Sequence, residues 1–417
     1  MAGKIFPRNN VLCIDIRSFY ASVEAIKRKL DPLHVKLAVV GNLNRKGSII
    51  LAASPALKKA HRISNVSRFF ELPHDPEIIL VQANMQDYID VSVNITKLLL
   101  SYVPKEAIHV YSIDETWITL NGTEKLHGNR QQAARLIKED ILNTFGLTCS
   151  IGIGDNKFLA KVVMDLYAKK EGIAECTYED VKVKLWPFPV EKIWGIGSRF
   201  QERLNALNMY TLGDVARGSK QLLKKEFGIM GEQIYWHAWG VDHSPVLGNF
   251  LNDEQKGFSN GITLLRDYDA QEIKTCMLEL CEEACSRARA VHHVGRTVQL
   301  MIEYSNGSGG FNRSLSIEQP TNYTRNVYDV CLTLFHKFYD GYSSIRRISI
   351  TLTNVSKRHY EQLDLFNQTS TSKDLHQTID AIKAKYGPTS ILYASSYLEE
   401  AIAIERSKKI GGHYTKS

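Results

Sequence analysis

The sequence predicts an α+β protein built from several domains. Three observations carry that prediction. The chain has 417 residues, beyond the roughly 250–300 at which a single core stops growing. Strand-like and helix-like segments are mixed irregularly up to about residue 177, and the texture then changes to short helices with Gly turns. Near the C-terminal end a strand–helix–strand–strand–helix–strand order appears.

In chain order, "NVLCIDI" (10–16) is a short apolar, β-branched run that reads as a strand, with Asp15 at its end. It feeds the helix "SFYASVEAIKRKL", whose Phe19, Val23 and Ile26 share one side. "KLAVVG" and "GSIILAAS" read as strands, and Pro55 suits the first turn of the helix "PALKKAH". "EIILVQAN" and "AIHVYSIDETWITL" are further strands separated by the helix "YIDVSVNITKLLLSYV". The helix "NRQQAARLIKEDILNTF", the strand "LTCSIGIG" and a helix from about 156 to 169 complete the first region. This gives a unit over 10–29 and 79–177, interrupted by a small insert at 30–78, then an all-helical domain at 178–240. Residues 241–256, with Pro245 and Gly248 among polar neighbours, read as a linker. A βαββαβ domain spans 257–356, and 357–417 form a polar tail with one last amphipathic helix.

Composition narrows the class. Hydrophobic residues make up 44% of the chain, enough for a core in every part, which excludes a disordered protein. With 52 Lys+Arg against 45 Asp+Glu, the net charge of +7 permits a polyanionic partner without requiring one. No apolar run approaches the roughly 18–20 residues of a membrane span, and "MAGKIFPRNN" lacks the apolar stretch of a signal peptide, which points to a cytosolic protein. The seven cysteines include no C-x-x-C pair and read as reduced structural thiols. In the βαββαβ unit the strands carry Arg296, Arg313, Arg346 and Arg347 against Glu303 alone. Asp267, Asp269, Glu272, Glu279, Glu282 and Glu283 lie on or just before its first helix. The sorting predicts one positive face that suits a polyanion and one negative face.

The chemistry is carried by "YSIDETW" (111–117), which sets Asp114 and Glu115 inside an apolar run. An unpaired buried carboxylate is costly, and a bound cation removes that cost. Mg²⁺ prefers hard oxygen ligands, usually one or two carboxylates plus waters and substrate phosphates. Asp15, Asp114 and Glu115, all at strand ends, could converge on a pair of ions that support an in-line phosphoryl displacement. Two adjacent acids cannot both face one side of a regular strand, so a strand end or tight hairpin is expected there.

"CIDIRSFYASVE" together with "YSIDETW" resembles the acidic signatures of the Y-family, or translesion, DNA polymerases, and "SIGIGDNKFLAK" is similar to that family's palm segment. The texture is closest to the UmuC-like branch of bacteria and their phages, and the resemblance covers about 10–366. It implies a right-hand polymerase with palm (10–29 and 79–177), small fingers (30–78), helical thumb (178–240) and little finger (257–356). It implies two Mg²⁺ ions bound by Asp15, Asp114, Glu115 and the Ile16 carbonyl, with Glu115, Asp114 and Asp15 as the catalytic acids. Tyr20, supported by Phe19, falls at the steric gate against ribonucleotides, and Lys58 and Lys169 at the triphosphate. Where the commoner pattern has Tyr and then Arg after a Ser, this chain has Pro55 and Lys58, and Lys offers a point charge instead of a fork. Arg62 stands where a Gly commonly ends the helix.

Gly195 and Gly197 in "WGIGSRFQERL" look like the hairpin of a helix-hairpin-helix element that grips DNA through its backbone. Arg296, Arg313, Arg346 and Arg347 fit sequence-independent phosphate contacts. Gln362, Leu363, Leu365 and Phe366 in "QLDLF" match the sliding-clamp-binding pentapeptide. The expected protein is a monomeric, low-fidelity polymerase without a proofreading exonuclease, acting on primer-template DNA and dNTPs in damage tolerance and the SOS response. A nucleotidyl cyclase with a similar palm and a clamp-riding DNA-binding scaffold are the alternatives. The Gly hairpin, basic little finger and clamp peptide disfavour the cyclase, and the intact acids disfavour the scaffold.

Overall fold

The structure, a computed structural model, describes residues 6–63, 67–248, 255–307, 309–357 and 370–415. Contacts divide the chain into two compact units between 253 and 254, inside the stretch read as a linker.

The first unit is built on a five-stranded sheet with β1 (Val11–Ile16) at its centre. After β1 come α1 (Phe19–Lys27), β2 (Leu37–Val40), β3 (Ile50–Ala53), α2 (Pro55–His61), β4 (Ile79–Gln82) and α3 (Met85–Leu99). Next are β5 (Ile108–Val110), β6 (Glu115–Thr119), α4 (Glu124–His127), α5 (Arg130–Phe145), β7 (Cys149–Gly154), α6 (Lys157–Val163), α7 (Lys169–Glu171) and β8 (Ile173–Cys176). The large sheet runs β5-β6-β1-β7-β8, with β1 antiparallel to both neighbours. All six residues of β7 are buried, as expected of an interior strand covered by helices on its face. A separate three-stranded sheet, β3-β2-β4, forms the insert. Sequence reading placed β4 with the 79–177 segment, but it pairs parallel with β2, Leu37 opposite Ile79 and Val39 opposite Val81. Periodicity identifies a strand but not its hydrogen-bonding neighbour, and that neighbour decides the boundary.

Local chemistry sets the ends of α2. The Ser54 hydroxyl accepts the Leu57 amide hydrogen and Pro55 occupies the first turn. At its end Arg62 adopts φ 53°, ψ 30° and donates its amide to the Lys58 carbonyl. The left-handed cap expected of a glycine is therefore built with an arginine, at a cost of about 1 kcal/mol.

The helical part consists of α8 (Val181–Lys184), α9 (Ser198–Ala206), α10 (Leu212–Arg217), α11 (Lys220–Phe227) and α12 (Ile229–Ala238). It shares a core with the sheet: Leu204, Leu212, Val215 and Leu223 join Phe158, Val162 and Trp117 in one apolar cluster.

The second unit carries β9 (Gly257–Tyr268), α13 (Glu272–Ala290), β10 (His293–Tyr304), β11 (Gly310–Thr321), α14 (Thr324–Phe338) and β12 (Ile345–Lys357). This is the βαββαβ plan read from the sequence, with antiparallel strands in the order β11-β10-β12-β9. Val298, Leu300, Ile302, Ile348, Ile350 and Leu352 face the two helices. The chain continues into α15 (Ser370–Tyr386), α16 (Ala403–Arg406) and the small hairpin of β13 (Lys409–Ile410) and β14 (His413–Tyr414).

This C-terminal part belongs to the second unit and packs on α13. Asp380 accepts from Arg289 at 2.5 and 3.0 Å and from Ser286 at 3.0 Å, and Lys383 pairs with Glu282. Buried Glu279 accepts the Ile402 and Ala403 amide hydrogens at 2.7 and 3.0 Å, and Arg406 pairs with Glu283 at 3.0 Å. The acids of "ELCEEACSRAR" thus bind the chain's own tail and do not form an open negative face. No helix among the described residues is long and apolar enough to cross a membrane.

Candidate active site

The site forms where β1 ends. Asp15 is the fifth of its six residues and Ile16 the last. Ser18 then takes the left-handed conformation (φ 47°, ψ 46°), strained for a residue with a Cβ. The turn is held by the Ser22 amide donating to the Ser18 carbonyl (2.9 Å) and the Ser22 hydroxyl donating to the Arg17 carbonyl (2.7 Å). It starts α1 so that Phe19 is buried and Tyr20 is only half-buried.

On the neighbouring strand, β5 stops at Val110 and β6 starts at Glu115. The amides of Tyr111 and Ser112 both donate to the Glu115 carbonyl, at 3.0 and 3.1 Å, which closes a tight hairpin. Strand alternation is therefore broken between the two acids, as their adjacency requires. Asp114 lies in the turn, its carbonyl accepting the Ile16 amide at 2.9 Å and its carboxylate the Ser112 hydroxyl at 2.7 Å. Glu115 begins the strand and sits opposite Asp15 in the β1–β6 register. Burial pushes the Asp15 carboxyl up to about 6, against the pull of Lys169 and with a further push from Asp114.

Cations close the site from α6. Gly152 and Gly154 allow α6 to lie directly on β7: a Cβ at 152 would overlap the Ala160 carbonyl oxygen, and one at 154 the Ala160 amide nitrogen. This close approach carries Lys161 to Glu115, Nζ to Oε2 at 2.6 Å, with both side chains buried. Glu115 Oε1 accepts from the Cys13 thiol at 3.3 Å. Lys161 also pairs with Asp165 (3.1 Å), Asp165 with Lys169 (2.7 Å), and Lys169 lies 3.8 Å from Asp15. Charges thus alternate in sign from Glu115 to Asp15. Burial works against the ammonium of Lys161, but the hydrogen bond to Glu115 and the charges of Asp165 and Glu115 outweigh it and raise its pKa. One π-helical turn, Met164–Ala168, carries Asp165 and leads into Lys169, the kind of irregularity that recurs at functional sites. Lys58 of α2 lies within electrostatic reach of Lys169, Asp15 and Arg17, and burial lowers its pKa, reinforced by the Lys169 charge.

Of the residues singled out by sequence, Asp15, Ile16, Asp114, Glu115, Tyr20, Lys58 and Lys169 come together here. Lys161, Asp165 and Arg17 were not anticipated. A signal for Lys161 existed: it interrupts the helical run "FLAKVVM", every residue of which is buried.

Tyr20 stacks on buried Tyr88 of α3, centroids 4.5 Å apart and planes at 22°. The Tyr88 hydroxyl donates to Glu24 at 2.9 Å, and Glu24 is paired with Arg28. Tyr20 is thus an aromatic face backed by a fixed ring.

Among the described residues, no three His, Cys, Asp or Glu side chains are grouped so that they could hold a metal ion by themselves. The donors at the end of β1 are nonetheless hard oxygens, with the Asp15 and Glu115 positions paired across β1 and β6 and Asp114 in the adjoining turn. That set fits an ion bringing its own waters and phosphate oxygens.

Three family models match the chain: the impB/mucB/samB family over residues 14–165, its C-terminal domain over 255–365, and the IMS family HHH motif over 178–209. The chain is 45% identical over 415 residues to the putative UV-damage repair protein UvrX of Bacillus subtilis (strain 168), covering 98% of each chain. This chain is a UmuC-like Y-family protein. It is also 38% identical to DNA polymerase IV 2 of the same organism, over 97% of this chain and 98% of that one. A Y-family DNA polymerase chimera shares the fold, with a TM-score of 0.68 at 22% identity over 84% of this chain and 99% of the chimera. The right-hand architecture inferred from the signatures is therefore the family's own.

Other residues flagged by sequence lie elsewhere. Gly195 has φ 90°, which only glycine adopts freely, and Gly197 precedes α9. A Cβ on either glycine would meet open space. Trp194 joins this hairpin to the acidic one, its ring 5.8 Å from Trp117 and 6.1 Å from Tyr111.

The four arginines of the second unit do not form one face. Arg313 sits opposite Leu300, whose side chain is buried beneath the helices, and its guanidinium lies 5.2 Å from the Phe338 ring centroid of α14. Arg296 and Arg346 fall at register shifts, and Arg346 pairs with Asp267 at 3.1 Å. Arg347 pairs with Glu303 at 3.3 Å. Bulges reset the side-chain alternation, so a count along the strands misplaces these groups. The sheet face away from the helices is instead polar and mostly uncharged. Ser259 bonds Thr351, Thr297 bonds Ser316 and Gln299 bonds Asn312 across the strands. Gln362, Leu363, Leu365 and Phe366 lie outside the described residues.

Proposed function

We propose that the chain is a template-directed DNA polymerase of the translesion type, extending a primer with dNTPs during DNA damage repair and tolerance in the cytoplasm. The observation that carries this reading is the convergence of Asp15, Asp114 and Glu115 at the end of β1 beside Lys58, Lys169 and Arg17. Acids at the reacting end and cations beside them suit a nucleoside triphosphate, whose transfer depends on positioning and charge stabilisation.

In this reading Asp15, Asp114 and the Ile16 carbonyl hold two Mg²⁺ ions, with Glu115 as the third acid. Bound there, the ions lower the barrier by activating the attacking hydroxyl and neutralising charge on the leaving phosphate. Lys58, Lys169 and Arg17 face the triphosphate as point charges or a fork. Tyr20, backed by Phe19 and the fixed Tyr88 ring, lies under the sugar and clashes with a 2′-hydroxyl. The Gly195–Gly197 hairpin offers open backbone at a helix start to a DNA phosphate. The hydroxyl-lined sheet face of the second unit, with exposed Arg296 and Arg347 contributing charge, lies along duplex DNA. The 362–366 pentapeptide tethers the monomer to a sliding clamp.

Primer extension on damaged and undamaged templates tests the reading directly: Mg²⁺-dependent incorporation of dNTPs on both is expected, and no incorporation on either would refute it. Tyr20→Ala is expected to raise ribonucleotide insertion by about 10²-fold, since the clash with one hydroxyl disappears. Unchanged sugar discrimination in steady-state insertion assays would return Tyr20 to a packing role. Deleting 362–366 is expected to lower clamp-stimulated synthesis at least tenfold while leaving clamp-free synthesis unchanged. Equal loss in both assays would reject the tether.

A further inference from the structure

We propose that Lys161 is the resident counter-ion of the acidic centre, pairing Glu115 when no metal is bound and remaining paired to Asp165 when Glu115 turns to a metal. The inference rests on the metal assignment of the centre and adds a residue that sets its metal affinity.

Both Glu115 oxygens are engaged, Oε2 by Lys161 at 2.6 Å and Oε1 by the Cys13 thiol at 3.3 Å. With its side chain only 8% exposed, Glu115 depends on the partners within its reach, so an incoming cation competes with Lys161 for its charge. Lys161, only 7% exposed, is itself too buried to stand alone once Glu115 leaves. Asp165, 3.1 Å away and 25% exposed, is the carboxylate that keeps it satisfied. Lys169 shares Asp165 at 2.7 Å and reaches towards Asp15 at 3.8 Å, so the same relay touches both ends of the acidic cluster. The rigid seat of α6 on Gly152 and Gly154 keeps the Lys161 backbone in place, so the exchange occurs at Glu115 and at the side-chain ends.

Lys161 and a metal therefore compete for Glu115, and Asp165 tunes the competition. The test uses the full chain without DNA, with Mn²⁺ as the probe, read by electron paramagnetic resonance of the free ion and by thermal melting. Lys161→Met is expected to bind Mn²⁺ about tenfold more tightly, to melt lower than wild type in chelator and to regain more on adding Mn²⁺. Asp165→Asn leaves Lys161 with Glu115 alone and is expected to bind Mn²⁺ about tenfold more weakly. Lys161→Arg keeps the charge and should stay near wild type. Opposite changes in the Met and Asn variants cannot both follow from damaged folding. Mn²⁺ binding that Asp114→Ala removes but the Met and Asn variants leave at wild-type strength, or weaker binding by the Met variant, overturns the inference alone. No Mn²⁺ binding by the wild type overturns the metal assignment and this inference with it.

Discussion

Replacing Asp114 by Ala is expected to lower the rate of primer extension by about 10³-fold or more while leaving the fold intact. The side chain sits in the 111–114 turn, where it accepts the Ser112 hydroxyl. What holds the turn is backbone: the Ile16 amide to the Asp114 carbonyl, and the Tyr111 and Ser112 amides to the Glu115 carbonyl. Alanine keeps every one of these bonds, so melting should move by no more than a degree or two. What disappears is one of the three acids at the end of β1, and with it part of the negative field that favours a divalent cation. Single-turnover extension of a primed template, with thermal melting of the same preparation, separates the two effects. Extension within tenfold of wild type would refute Asp114 as a metal ligand.

Gly152→Ala is expected to have the largest effect on stability. A methyl group at 152 would overlap the Ala160 carbonyl oxygen and come within 2.6 Å of the Met164 Cβ and amide nitrogen. Backbone cannot move aside as a flexible side chain can, so α6 must lift from β7. Overpacking of this kind costs about 1–3 kcal/mol, or roughly 2–12 °C in the transition of a unit this size. Lifting α6 also withdraws Lys161 from Glu115 and shifts the π turn that leads to Lys169, so extension should fall together with stability. Gly47→Ala serves as the control, because a Cβ there meets nothing within 4 Å. Melting temperatures of the two variants within 2 °C of each other would show that α6 tolerates the methyl group and that the close seat is not required.

Features that depend on local pattern could be read along the chain. Two adjacent acids in a β-branched run demanded a broken strand, and Asp114 in the turn with Glu115 starting β6 is that break. The βαββαβ order followed from periods of two and 3.6 residues, and the capping of α2 from Ser54 and Pro55. Even the strain at Arg62 could be expected from the position of the helix end.

Which charges meet depends on strand pairing and helix packing. Arg313 and Arg347 look alike in a strand, yet register turns one towards Phe338 and leaves the other with Glu303. Glu279, Glu282 and Glu283 of α13 have the sequence of a solvated face, but the tail binds them from about a hundred residues or more away, through backbone amides, Lys383 and Arg406. Lys161 reads as a misfit in an apolar helix until two glycines on another strand let it reach Glu115. The physical reason is the same in each case. Hydrophobic period and turn chemistry act over a few residues and can be read along the chain. The energy of a charge depends on which opposite charge the fold brings within a few ångströms, and that distance exists only once the strands have paired and the helices have packed.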